Sequence, residues 1–197
     1  MAIVNNEFQR DAVAFLGKNV LAYNLEGAVQ GIIQCVIERD PGTRLAALRL
    51  AEAGDTDRFA AYYLAYSDNT SHQLTLGNMA NFMFTPPLTG CSFVIDTRWF
   101  NPTVSHHNRQ TADRLTDQPA VDCAIWQTHG SQASRGLCTV TANYHAVRKA
   151  DYVPQDASPY DHRLHVVGVR GALGWYMYRM KNHMRTETVT EAPSRIN

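Results

Sequence analysis

A chain of 197 residues, 45% hydrophobic and 18% charged, fits one domain and can bury a core without disulfides or metals. Eighteen basic residues balance eighteen acidic ones, so the chain lacks the basic excess of a dedicated nucleic-acid binder. No run approaches the roughly eighteen apolar residues of a membrane span, and the N-terminus carries no basic region leading into an apolar run, so no Sec signal peptide is expected.

In chain order, Asn5 or Asn6 caps a helix whose apolar residues Phe8, Ala12, Phe15 and Leu16 recur at helical spacing, with Gly17 as its stop. Strands follow over 19–25 and 29–39, then an Asp40-Pro41-Gly42-Thr43 turn, then strands over 44–51 and 58–66. Residues 74–84 fit either a helix or a short strand, with the helix preferred, and Pro86-Pro87 ends the element because proline disfavours helix in the residue before it. Residues 92–97 read as a strand. The polar stretch 101–120 holds a short helix near 108–116. Strands are expected over 121–127, 137–147, 163–170 and 174–180, and 186–197 reads as a flexible tail. The pattern gives a β-rich α/β (α+β) domain over 1–197, with helices packed around a sandwich or half-barrel.

The four cysteines (Cys35, Cys91, Cys123, Cys138) have no C-x-x-C spacing, so they read neither as a zinc ribbon nor as a disulfide framework, and no metal or other cofactor is expected. Cys35, Cys123 and Cys138 lie in apolar runs and read as core thiols. Cys91 differs. Gly90 before it permits close backbone approach, Pro86-Pro87 stiffens the way in, and the strand Ser92–Asp96 follows, so the sulfur stands at a loop-to-strand junction. There a backbone N–H can help hold an oxyanion. His106 and His107 follow after one strand and a turn; in an extended segment their rings point to opposite faces, so one alone can serve as base.

The segment from Asn81 to Thr85, then Pro86-Pro87-Leu88-Thr89-Gly90-Cys91, resembles the Leu-Ser-Gly-Cys neighbourhood of the Burkholderia lethal factor and cytotoxic necrotizing factor catalytic-domain family. Thr85, six residues before Cys91, matches the family's threonine, and Val104-Ser105-His106 is similar to its Val-x-His. Val166-Val167-Gly168 and Gly174-Trp175-Tyr176-Met177-Tyr178 resemble its late strand pair. The chain departs in Thr89, where the family has serine, and in a longer cysteine-to-histidine gap. The resemblance implies a β-sandwich of mixed sheets flanked by helices. It also implies a toxin or effector glutamine deamidase: Cys91 as nucleophile, His106 as base, Thr85 orienting the imidazole, and Leu88, Thr89 and Gly90 shaping the oxyanion site. Its substrate is a host protein, an RNA-helicase translation factor or a Rho-type GTPase. The protein is expected as a monomer, made in the bacterial cytoplasm and delivered to host cytosol without a Sec signal. Trp99, Phe100 and His107 are expected to contact substrate. A cysteine protease, a transglutaminase-like enzyme and a non-catalytic interaction protein are the alternatives.

Two further patterns rank lower. His162-x-x-His165 reads as polar rim histidines rather than metal ligands, and Gly168-x-x-Gly171-x-x-Gly174 as a tight hairpin or bulge rather than a dinucleotide fingerprint.

Overall fold

The computed structural model describes residues 1–97, 100–113, 115–129, 144–153, 162–183 and 188–196. Its architecture is mixed α+β and sheet-rich. After a short strand β1 (Ala2–Ile3), the N-terminal helical stretch is two helices, α1 (Asn5–Arg10) and α2 (Ala12–Lys18). Asp11 interrupts them and caps the second, its carboxylate accepting from the Ala14 N–H at 2.9 Å. Asn5 is not a cap. It is buried, accepts from the Ile37 N–H and donates to the Asp57 carbonyl, which ties α1 to the sheet.

Strands β2 (Val20–Asn24), β3 (Gly31–Arg39), β4 (Leu45–Leu50) and β5 (Phe59–Tyr63) follow as the alternation suggests. The turn before β4 closes with the Thr43 N–H on the Asp40 carbonyl and Gly42 at φ 83°, a left-handed position that favours glycine. Residues 74–84 are not a helix. They split between β6 (Ser71–Thr75) and β7 (Phe82–Phe84), because Gly77-Asn78 breaks the run and Phe82, Met83 and Phe84 fill a central strand with three buried side chains. Next come β8 (Ser92–Asp96) and β9 (Thr103–His107). The described residues of 108–116 are not helical, and a Gln110–Thr116 bridge links its ends.

Residues 118–129 form helix α3 (Gln118–His129), not a strand. Asp117 accepts from the Ala120 N–H at 3.1 Å, and Val121, Ala124 and Ile125 are buried at helical spacing. Strand β10 (Tyr144–Val147) is followed by the long hairpin β11 (His162–Gly171) and β12 (Gly174–His183). Gly171 pairs with Gly174 at the hairpin's tip, as the glycine spacing suggests. The tail is corrected too: Thr188–Arg195 is strand β13, antiparallel to β12. Pro193 fits there because β13 is an edge strand.

Among the described residues the larger sheet runs β13-β12-β11-β7-β5-β3-β4-β2, with β1 on β3, and the smaller runs β10-β8-β9-β6. The larger sheet is mixed, since β2 with β4 and β5 with β7 are parallel pairs. It curls enough for Tyr23, on the β2 edge, to stack on His165 of β11 with ring centroids 5.3 Å apart. His165 is therefore interior, not at a polar rim. Side chains alternate along β5 and β7: Phe59, Ala61, Phe82 and Phe84 pack on α1 and α2, whereas Tyr62 and Met83 join the second core. That second core holds Leu88, Phe93, Ile95, Val104, Leu164, Val166, Trp175 and Met177, and fills the space between the sheets. Helix α3 covers the outer face of the smaller sheet through Val94, Val121, Ile125 and Tyr144. Cys35 is buried as expected. Cys123 is exposed, because on a helix it falls on the outward face; Cys138 lies outside the described residues.

Phe8 anchors the first core, with ring centroids within 5.8 Å of Phe15, Phe59, Phe82 and Phe84. Phe8→Ala is expected to cost about 3–5 kcal/mol, the range for truncating a fully buried aromatic. Denaturant titration of the two proteins measures it, and a change below about 1 kcal/mol would mean this aromatic cluster is not the fold's anchor.

Candidate active site

Three loop and strand positions bring the candidate residues together. Thr85 follows β7 directly, Cys91 precedes β8, and His106 lies in β9. Phe93 and His106 are paired across β8 and β9, as are Ser92 and His107. Cross-strand partners share a face, so Cys91, two residues before Phe93, projects from the same face as His106. The two are diagonal neighbours, about 7–8 Å apart at Cα by sheet geometry. The face they share looks into the space between the sheets, where Cys91 is 3% and His106 1% exposed.

The imidazole is held from behind. Thr85 Oγ1 and His106 Nδ1 form a buried 2.8 Å hydrogen bond. His106 Nε2 is buried and has no hydrogen-bond partner. A buried polar atom left unpaired is costly. Burial pushes the Cys91 thiol up to about 12, with the Asp68 carboxylate adding to it and the Thr89 backbone partly offsetting it. Burial, with His107 and His72 adding to it, lowers His106 to about 3. At rest the two groups are thus a neutral thiol and a neutral imidazole, not a preformed ion pair.

The backbone around the sulfur is clamped. Leu88 exchanges backbone hydrogen bonds with Leu164 on β11, at 2.8 and 3.1 Å, and its side chain is fully buried. Thr116 donates to the Gly90 carbonyl at 2.9 Å, and a Cβ on residue 90 would lie 2.7 Å from that same hydroxyl. A side chain at position 90 would have to displace this hydroxyl and its hydrogen bond. Tyr152 donates to the Cys91 carbonyl at 3.0 Å. Thr89 stays half-buried between these anchors.

The other expected contacts lie elsewhere. His107 is fully buried on the opposite face of β9, under α3, so it cannot touch a substrate at Cys91. Its Nε2 lies 2.7 Å from Ser105 Oγ, which is also 2.7 Å from His129 Nε2, and its Nδ1 is 2.9 Å from Ser71 Oγ. One hydroxyl between two imidazole nitrogens can donate to only one of them, so the other carries the proton. Phe100 is 92% exposed but sits past the far end of β8, about 16 Å of strand from Cys91. Trp99 lies outside the described residues.

Further residues surround the imidazole. The Tyr66 ring packs on His106, with centroids 5.2 Å apart. Its hydroxyl donates to Asp68 Oδ1 at 2.7 Å. Asn108 Nδ2 donates to both, at 3.0 and 3.2 Å. His72 is the partner of His106 across β6 and β9, and its Nε2 lies 2.6 Å from Ser67 Oγ. Asn108 carried a signal, since two residues after His106 it shares that residue's face. No group of three or more His, Cys, Asp or Glu side chains among the described residues could hold a metal ion. No helix among them is long and apolar enough to cross a membrane. No protein-family model matches the chain, and no curated protein matches it.

If Thr85 orients His106 through its hydroxyl, Thr85→Val should lower kcat/KM roughly tenfold to a hundredfold, the range for partners that fix a histidine's tautomer. Thr85→Ser should keep most of the activity. Steady-state kinetics of the two variants checks this, and equal loss in both would place the effect in packing instead.

Proposed function

We propose that this chain is a cysteine-dependent protein glutamine deamidase, with Cys91 as nucleophile, His106 as base and Thr85 as the group that orients the base. The observation that carries the reading is His106 itself. Its Nδ1 is tied to the Thr85 hydroxyl, and its unpaired Nε2 is on the face from which Cys91 projects. In the tautomer whose Nδ1–H donates to Thr85, the Nε2 lone pair is free to accept a proton.

The chemistry follows from the neutral resting pair. As the sulfur attacks the carboxamide carbon of a glutamine side chain, its proton passes to Nε2. Charge then appears only when substrate has displaced water, with backbone N–H groups near Gly90 and Cys91 offered to the oxyanion. The C–N bond breaks, the imidazolium returns the proton to nitrogen, and ammonia leaves a thioester on Cys91. His106 next takes a proton from water as it attacks the thioester, giving glutamate and the free thiol. In sum, one amide and one water become one carboxylic acid and one ammonia.

The resemblance supplies the substrate class, a host protein such as an RNA-helicase translation factor or a Rho-type GTPase, and the setting of a secreted or delivered toxin. The clamped Leu88–Cys91 backbone suits amide chemistry on a side chain that enters from outside. A test is to incubate eukaryotic lysate with the protein and with Cys91→Ser and measure ammonia release. Release by the wild type alone supports the reading. Target fragments without ammonia would assign a protease instead.

A further inference from the structure

The nucleophile and base are both shut off from solvent. Cys91 is nearly buried, and His106 Nε2 exposes no area although it makes no hydrogen bond. A carboxamide cannot reach either atom unless something moves. One group packed directly on the base comes from the 64–70 connection between β5 and β6. Tyr66, 37% exposed, lays its ring against the imidazole.

The connection is latched rather than packed. The Tyr66 hydroxyl donates to Asp68 Oδ1, and Asn108 Nδ2 donates to both oxygens, so three side chains make a closed triangle at 2.7, 3.0 and 3.2 Å. Asn108 is buried on the fixed side, one residue beyond β9, whereas Tyr66 and Asp68 are exposed on the movable side. Asn69 stands at φ 54° and accepts from the Gln110 N–H at 2.8 Å, a single-residue left-handed turn that asparagine tolerates. The movable side holds no large buried apolar side chain between Ala65 and Thr70. A segment held by a few solvent-facing hydrogen bonds opens at a small fraction of the cost of global unfolding.

We propose that Tyr66, latched by Asp68 and Asn108, is the access-determining residue of this site, closing over the Cys91–His106 pair and swinging out to admit the amide. Burial and the Asp68 carboxylate hold the tyrosine hydroxyl protonated, so it remains a donor to the latch through the neutral range. The closure itself stands on geometry. Its consequence, that only a side chain able to displace Tyr66 is deamidated, rests on the deamidase reading.

The test reads thiol chemistry, so it can succeed or fail independently of that reading. Full-length wild type, Tyr66→Ala, Tyr66→Phe and Asn108→Ala are treated with a maleimide at pH 7.5, and labelling at each cysteine is followed by peptide mass spectrometry. Exposed Cys123 reports the reagent, and buried Cys35 reports unfolding. Removing the Asn108 donor to a carboxylate should raise the Cys91 rate roughly tenfold, since such bonds are the stronger class. Tyr66→Ala should raise it at least as much, and Tyr66→Phe, which keeps the ring but not the latch, by an intermediate factor. Cys35 and Cys123 rates should stay unchanged. Asn108→Ala leaves the local charge intact, so its effect is not a change in the field at the sulfur. Unchanged Cys91 labelling in Tyr66→Ala and Asn108→Ala overturns the proposal, and so does a rise that only tracks Cys35 in all three variants.

Discussion

Cys91→Ala is expected to abolish glutamine deamidation, and His106→Ala to lower kcat about 10²–10⁴-fold, the usual contribution of a positioned general base. The asymmetry follows from the resting state. With the thiol near 12 and the imidazole near 3, almost no thiolate exists at neutral pH before substrate binds. The sulfur depends on Nε2 to take its proton at the moment of attack, so loss of either partner disables the same step. Combining the two substitutions should therefore cost little more than Cys91→Ala alone, because residues acting as one unit are strongly non-additive. Both side chains are buried beside apolar neighbours, so denaturant midpoints must be measured along with rates. A His106→Ala protein that is stably folded and fully active would remove histidine from the mechanism.

Acid sensitivity is the second large effect. His106, His107 and His165 are buried, and burial lowers each to about 3 from an ordinary value near 6.5. The unfolded chain binds protons at these histidines as pH falls below about 6.5, while the native chain does not. Stability therefore rises with pH across the window from about 3 to 6.5, and is lost as pH falls through it. Each histidine contributes a slope of about 1.4 kcal/mol per pH unit once the unfolded form is protonated, and three together approach about 4. Over two pH units that rivals the whole stability of a typical domain, about 5–15 kcal/mol. Urea titrations at pH 7, 6 and 5 should show a steep decline below pH 6.5. His165→Gln, which removes one titrating group from the Tyr23 stack, should flatten it by about a third. Equal stability at pH 7 and pH 5 would show that these imidazoles titrate freely in the folded protein.

The sheet strands were legible wherever alternation and turn chemistry agreed. Asp40-Pro41-Gly42-Thr43 and the Gly171–Gly174 tip both set their neighbours' pairing by backbone geometry. The misreadings have physical causes. In 118–129 the apolar cluster Val121, Cys123, Ala124, Ile125 invites a strand, but Asp117 as cap and Pro119 in the first turn were the better signals. In 188–195 the β-branched residues Thr188, Val189 and Thr190 are offset by Pro193, which only an edge strand tolerates. The pairing of Thr85 with His106 could be named from the sequence only through the family resemblance, since no spacing rule brings residue 85 to residue 106. Tyr66 was legible only as part of an aromatic run with Tyr62 and Tyr63 that could line a substrate surface, and Asp68 and Tyr152 gave no signal at all. Tyr152 reaches Cys91 from beyond β10, the sheet neighbour of β8, and Asp68 reaches Asn108 from the β5–β6 connection, so both depend on pairings distant in sequence. Trp99, Phe100 and His107 were named from proximity along the chain, and β8 carries Phe100 away while the strand's two-residue period turns His107 over.

The central claim is that Cys91 carries out amide hydrolysis on protein glutamine. Peptide mass mapping of eukaryotic lysate treated with wild type, with Cys91→Ser and with buffer tests it most directly. Conversion of specific glutamines to glutamate in the wild-type sample alone, with targets otherwise intact, is the predicted result. Identical maps for the wild type and Cys91→Ser would contradict it.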